Sequence, residues 1–203
     1  GIDLDIDPYG YPHISFVDSL STTVRVASYL GTTGGSCDFN QWDCATISGT
    51  HYTDWGETSI AAESTAGVIH VSFYDAMNGN LMYAVFNLGG GWSHEYVDYG
   101  ASGTDVGVEN SLTVVNGIPV IAYDDTSNTD LKVATWVGTN KGDCGENNRW
   151  VCNTIDSAGW VGTPSIAHNA QGRIFISYYD WTNGDLKLAS QLFPAYMPLL
   201  KKP

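Results

Sequence analysis

The chain has 203 residues, enough for one sizeable core, and its 22 acidic against 8 basic residues give a net charge of −14. Such a surface repels nucleic acid and anionic lipid, which argues against both as partners, but it could attract cations such as Ca²⁺. No apolar run reaches the ~20 residues of a membrane-spanning helix. With 15% charged residues, 23 Gly, 12 Tyr and 7 Trp, the composition suits short strands and tight turns.

The first predicted element is a strand, Asp3 to Asp7, in which Asp3, Asp5 and Asp7 alternate with Leu4 and Ile6. It follows Gly1 with no initiator Met or signal peptide, as expected of a processed mature form or a fragment. Gly10 then opens a β-rich run, HISFVD at 13–18, followed by a polar turn and the return strand VRVA at 24–27. Trp42 to Ile47 forms a fourth strand.

That order recurs three times. The inner strands are SIAAE (59–63), SLTVV (111–115) and SIAHN (165–169). The hairpins are HVSFYD with LMYA, VIAYDD with LKVA, and FISYYD with LKLA. Fourth strands follow at Trp92–Val97 and Trp150–Ile155, but none follows Ala189. The eighteen-residue segments Gly10–Ala27, Gly67–Ala84, Gly117–Ala134 and Gly172–Ala189 align without a gap. Each begins with Gly, has an aromatic seventh, Asp ninth (Asp18, Asp75, Asp125, Asp180) and Ala last. Their turns contain Asn-Gly or an equivalent, which supplies the positive φ of a tight hairpin.

Four antiparallel strands per repeat define a propeller blade, which must stack on its neighbours to bury both faces. The expected fold is an all-β propeller of four blades, at about 2–57, 58–109, 110–163 and 164–190, the last lacking an obvious outer strand. Residues 191–203 form a C-terminal tail, apolar enough to pair with a blade edge, its own or a neighbour's; a linker is the alternative. The pattern G-x-P-x-I-S-[FY]-x-D-x5-L-K-x-A resembles a blade repeat of secreted bacterial β-propeller proteins. This resemblance implies architecture and leaves function open. The Trp-Asp pattern of WD40 blades and the Asp box of sialidases are absent, and Arg25, Arg149 and Arg173 match a sialidase in number alone.

Cysteines come and go as pairs: Cys37 with Cys44 in the first blade and Cys144 with Cys152 in the third, while the second blade has His94 at the equivalent place. This supports two local disulfides over the other connectivities and over a zinc site, and points to an extracellular or cell-surface location.

Motifs for nucleophilic, zinc-dependent or phosphate chemistry are absent. No cofactor is expected, with Ca²⁺ at Asp3, Asp5 and Asp7 as the one candidate ion. Those carboxylates stand where other blades have small residues such as Ser59 and Ala61, so a wetter channel, a looser first blade or a ring open at this seam are rival explanations. His13 and His70 share one repeat position and read as strand residues. The repeated Asp residues read as turn acceptors. On the same face, the links between blades carry His51, Tyr52, Asp54, Trp55, Tyr99, Asp105 and Trp160. Of these Trp55, Trp160, Tyr52, Tyr99, Asp54 and Asp105 are candidate ligand residues, since rings cover the C–H face of a sugar and carboxylates accept its hydroxyls; packing between blades is the alternative for the Trp residues. The expected function is extracellular, non-catalytic recognition or adhesion, with a glycan or a surface protein as partner. The alternatives are a cell-surface structural protein that self-assembles through a blade edge or the tail, and an enzyme with acidic residues in the central funnel.

Overall fold

The computed structural model describes residues 1–37, 40–47, 57–63, 67–87, 89–100 and 104–192. Tyr52, Asp54, Trp55 and the tail beyond Leu192 lie outside them. Blade 1 is the sheet β1 (Ile2–Ile6), β2 (Pro12–Asp18), β3 (Thr23–Tyr29) and β4 (Trp42–Thr46). Blade 2 is β5 (Thr58–Ala62), β6 (Ile69–Asp75), β7 (Asn80–Asn87) and β8 (Gly91–Asp98). Blade 3 is β9 (Val106–Val115), β10 (Ile118–Asp125), β11 (Asp130–Trp136) and β12 (Trp150–Asp156). Blade 4 has β13 (Val161–His168), β14 (Arg173–Asp180) and β15 (Asp185–Leu192). Strands within each blade are antiparallel and in sequence order, so the chain folds as the four-bladed propeller repeat with a three-stranded last sheet.

Local chemistry explains the repeat. The Gly that opens it sits at the β1–β2 turn and its equivalents with φ of 85°, 80°, 77° and 74°, a region where side chains are strained. Each ninth-position Asp accepts N–H bonds inside the following hairpin: Asp18 from Leu20 and Ser21, Asp75 from Met77, Asp125 from Asn128 and Asp180 from Asn183. Both cysteine pairs are bonded, Cys37 to Cys44 and Cys144 to Cys152. Each closes the loop between its blade's third and fourth strands.

The core is divided among the seams. One cluster joins Val24, Val26 and Ile47 of blade 1 to Ile60, Val71 and Phe73 of blade 2. A second joins Leu81, Tyr83 and Val97 to Leu112, Ile121 and Trp150. The third joins Leu131, Val133 and Ile155 to Val161, Ile166 and Ile176. Packing runs β1 on β5, β5 on β9 and β9 on β13, and among the described residues no packing of that extent joins β13 to β1. Among the described residues, four blades with three packed seams form an arc.

Inner strands have one edge without a partner strand, and their free N–H groups need acceptors. Across each seam a side chain of the preceding inner strand provides one. Asp3 Oδ2 accepts from Ile60 N (2.9 Å) and Asp5 Oδ2 from Ala62 N (2.8 Å). Ser59 Oγ accepts from Leu112 N, and Ser111 Oγ from Ile166 N. The aspartates thus lie inside a closed seam and tie the first blade to the second. They mark neither a loose blade nor the open side of the ring.

Candidate functional site

A cavity of about 360 Å³ opens at the seam between blades 2 and 3, within the size range of small-molecule sites. Blade 2 contributes Glu63 beyond β5, His70 on β6, Tyr83 on β7 and Glu95 on β8, and blade 3 contributes Trp136 at the end of β11 and Arg149 before β12. These groups lie at the end of the blades where β5 turns into β6, opposite the hairpins that carry the repeated Asp.

His70 is buried, and its Nδ1 lies 2.5 Å from the hydroxyl of Tyr83. Burial first, then the charges of Glu95 and Glu63, pushes the Tyr83 pKa up, so the hydroxyl keeps its proton and can donate it to Nδ1. Burial also lowers the pKa of His70, against the opposing pull of Glu63, and keeps the imidazole neutral at pH 7. A neutral ring that accepts at Nδ1 carries its proton on Nε2. That N–H has no hydrogen-bond partner, the nearest carboxylate oxygen being Glu63 Oε2 at 3.7 Å.

The opposite wall is fixed. Glu95 accepts from Arg149 Nη1 at 2.5 Å and from the indole N–H of the fully buried Trp150 at 2.7 Å. The Glu95 contact raises the Arg149 pKa further, so its charge is permanent. Trp136 is 37% exposed, which leaves part of an aromatic face to the solvent beside this polar wall. Two carboxylates, a guanidinium and an indole around one cavity suit a polyhydroxylated ligand with an apolar C–H face.

The residues expected from the sequence sit elsewhere. Tyr99 is exposed, with its ring 5.0 Å from that of Tyr96. Asp105 Oδ1 accepts from the Tyr74 hydroxyl at 2.6 Å, and its N–H donates to Ser127 Oγ. Trp160 is 57% exposed and 6.1 Å from Trp181, which meets Tyr179 edge-on at 4.6 Å. They belong to two different links, and none of the three lines the cavity. Asp3, Asp5 and Asp7 do not form a cation site, since Asp7 turns to Tyr9 N and Tyr11 N while the other two reach β5. Among the described residues no three His, Cys, Asp or Glu side chains gather to hold a metal.

His70 and Glu63 were visible in sequence as a strand histidine and the end of an inner strand. A hint was the His13–Asp7 pair at the same repeat positions, 3.6 Å apart in the structure, where His13 Nε2 also lacks a hydrogen-bond partner. Trp136 and Arg149 gave no such signal, being outside the aligned block.

Neither a protein-family model nor a curated protein sequence matches the chain. Solved structures match its fold. A fucose-specific lectin from Aleuria aurantia aligns with a TM-score of 0.55 at 15% identity, over 94% of this chain and 57% of the lectin. An α-L-arabinanase from Penicillium chrysogenum, solved with arabinobiose, aligns at 0.54 and 12% identity, over 94% and 61%. An α-L-arabinofuranosidase from Lactobacillus brevis aligns at 0.51 and 13% identity, over 96% and 68%. The chain therefore spans less than two thirds of the lectin and of the arabinanase. At these identities the likeness is one of fold.

Proposed function

We propose that this propeller arc is an extracellular carbohydrate-binding module whose site is the cavity between blades 2 and 3. The observation that carries the reading is a single cavity lined by Glu63, His70, a fixed Glu95–Arg149 pair and an accessible indole. A ligand hydroxyl would donate to Glu63, while Trp136 would cover a C–H face of the sugar. Two disulfides suit an oxidising compartment, and no helix among the described residues is long and apolar enough to cross a membrane. The sugars named for the fold's neighbours, fucose for the lectin and arabinobiose for the arabinanase, supply the first probes. A glycan array followed by calorimetry tests the reading. Trp136→Ala should weaken binding about tenfold, the scale of one lost aromatic contact, with an unchanged melting temperature. Undiminished binding by Trp136→Ala, or no glycan bound by the wild type, overturns the assignment.

A second reading, a glycoside hydrolase, draws support from acids near the central channel. Glu57 lines a cleft of about 180 Å³ between the inner strands. Its pKa is raised, first by the poor solvation of that narrow cleft and then by Glu109, with Asp3 adding to it. Asp124, buried beneath β9, is pushed up to about 6, mainly by burial. A carboxyl group whose surroundings raise its pKa is suited to serve as a general acid. Release of reducing sugar from arabinan that is abolished by Glu57→Gln would favour this reading over the first.

A further inference from the structure

The cavity between blades 2 and 3 interrupts a pattern that the next seam keeps. There blade 3 packs Val115, Val120 and Val133, none more than 5% exposed, into one apolar cluster with blade 4. At the same places in the aligned repeat, blade 2 carries Glu63, His70 and Tyr83. Three valines close the third seam, whereas the second holds three polar side chains and a cavity. A departure of this kind from the repeat's own packing marks a place shaped for something other than stability.

The charges around that cavity do not cancel. Glu95 is matched, since it accepts from Arg149 and from the Trp150 indole. Glu63 is not. Its side chain is 18% exposed, and among the described residues it pairs with no Lys or Arg, its neighbour being the neutral His70 at 3.7 Å. With the histidines counted neutral, Glu63, Glu95 and Arg149 leave one negative charge on the lining. Trp136 presents part of its indole to the same cavity, and an aromatic face attracts a cation. A carboxylate without a counter-ion and an indole face are the two parts of an ammonium site.

We infer, resting on the reading of this cavity as a carbohydrate site, that its ligand is an amino sugar whose ammonium donates to Glu63 while its ring covers Trp136. The net charge of −14 draws such a cation toward the protein. A neutral sugar offers Glu63 a hydroxyl, and that uncharged hydrogen bond is weaker by about tenfold in affinity. An acidic sugar fits worst. Its carboxylate would share Arg149 with Glu95 and would enter the same cavity as Glu63.

Titration of the 203-residue chain with glucosamine, glucose, N-acetylglucosamine and glucuronate at pH 7, where the sugar amine is mostly protonated, tests this by protein NMR. Glucosamine should bind about tenfold more tightly than glucose. N-acetylglucosamine keeps the nitrogen without its charge and should lose that gain, and glucuronate should bind most weakly. Glu63→Gln should bring glucosamine and glucose to the same affinity. Asp185→Asn, which removes one charge from an exposed position on blade 4, should leave the preference in place and so separate the site from the net charge. Equal binding of glucosamine and glucose by the wild type, a preference that survives Glu63→Gln, or glucuronate bound best overturns the inference and leaves the carbohydrate site standing. No binding of any of the four also overturns it, and the glycan array then decides separately whether the carbohydrate reading holds.

Discussion

At the seam between blades 1 and 2, Phe73 and Met82 lie fully buried where the next seam has Tyr123 and Lys132. Tyr123 donates its hydroxyl proton to Asp98 Oδ2 at 2.7 Å, and Lys132 Nζ meets the same oxygen at 2.5 Å, linking blade 3 to the outer strand of blade 2. The third seam repeats this with Tyr178, Lys187 and Asp156. The inner halves differ too: the first seam uses the carboxylates of Asp3 and Asp5, the second the hydroxyl of Ser59, and the third the hydroxyl of Ser111 with the carboxylate of Glu109. One repeat therefore joins the outer parts of its blades with two chemistries, apolar at the first seam and charged at the two that follow. Where a seam is deeply buried, an apolar pair needs no polar partner. A Tyr–Lys–Asp group needs every partner present.

The largest effect that tests this contrast should come from Asp98→Ala. It leaves a fully buried tyrosine hydroxyl without its acceptor and a largely buried ammonium with only Asp125 at 3.8 Å, for a loss of about 3 kcal/mol in urea unfolding. A loss below about 1 kcal/mol would mean that the polar seam is as tolerant as a surface ion pair.

The disulfides differ in the same way. Cys144 and Cys152 pack against the core of the second seam, and Cys152 Sγ lies near Val97 O, whereas Cys37 and Cys44 join none of the three core clusters among the described residues. Loop-closure entropy stabilises each by about 2.5 kcal/mol. Replacing both cysteines by serine should cost more at 144 and 152 than at 37 and 44, and equal losses would show that seam packing adds nothing.

The third seam also holds a carboxylate at a cost. Asp124 accepts from Glu109 N, and Glu109 in turn accepts from Thr163 N across the seam. The folded-state pKa of Asp124, about 6 against an ordinary 3.8, means that the folded chain binds the extra proton between those values. The penalty is therefore absent below about pH 4, grows as pH rises to about 6 and stays constant above it. Asp124→Asn keeps an acceptor for Glu109 N and should stabilise the protein by about 2 kcal/mol at pH 8, with the gain vanishing near pH 4. A gain independent of pH would trace the effect to something other than this proton.

The smallest expected effect is at Asp3. Asp3→Ala removes the acceptor of Ile60 N and of the Ser59 hydroxyl and should cost about 1 kcal/mol. Asp3→Ser, which copies the later seams, should recover part of that loss. No difference between the two variants would show that the first seam does not rely on this acceptor.

Sequence alone determined what depends on near neighbours along the chain. Alternation and turn residues located the blade strands, the repeated Gly followed from one left-handed turn position, and the paired loss of cysteines in blade 2 gave the disulfides. The spacing of the repeats supplied the propeller and its three-stranded last blade. Tertiary structure decided everything located between blades. The cavity draws Glu63, His70, Glu95, Trp136 and Arg149 from five separate segments, and only the stacking angle of two sheets makes them neighbours. The row of aspartates in β1 looked anomalous because a sequence does not show which unpaired N–H groups the next blade turns toward it. Leu4 and Ile60 occupy the same place in the repeat, yet one is buried and the other exposed, because burial depends on whether a further blade is packed against that face.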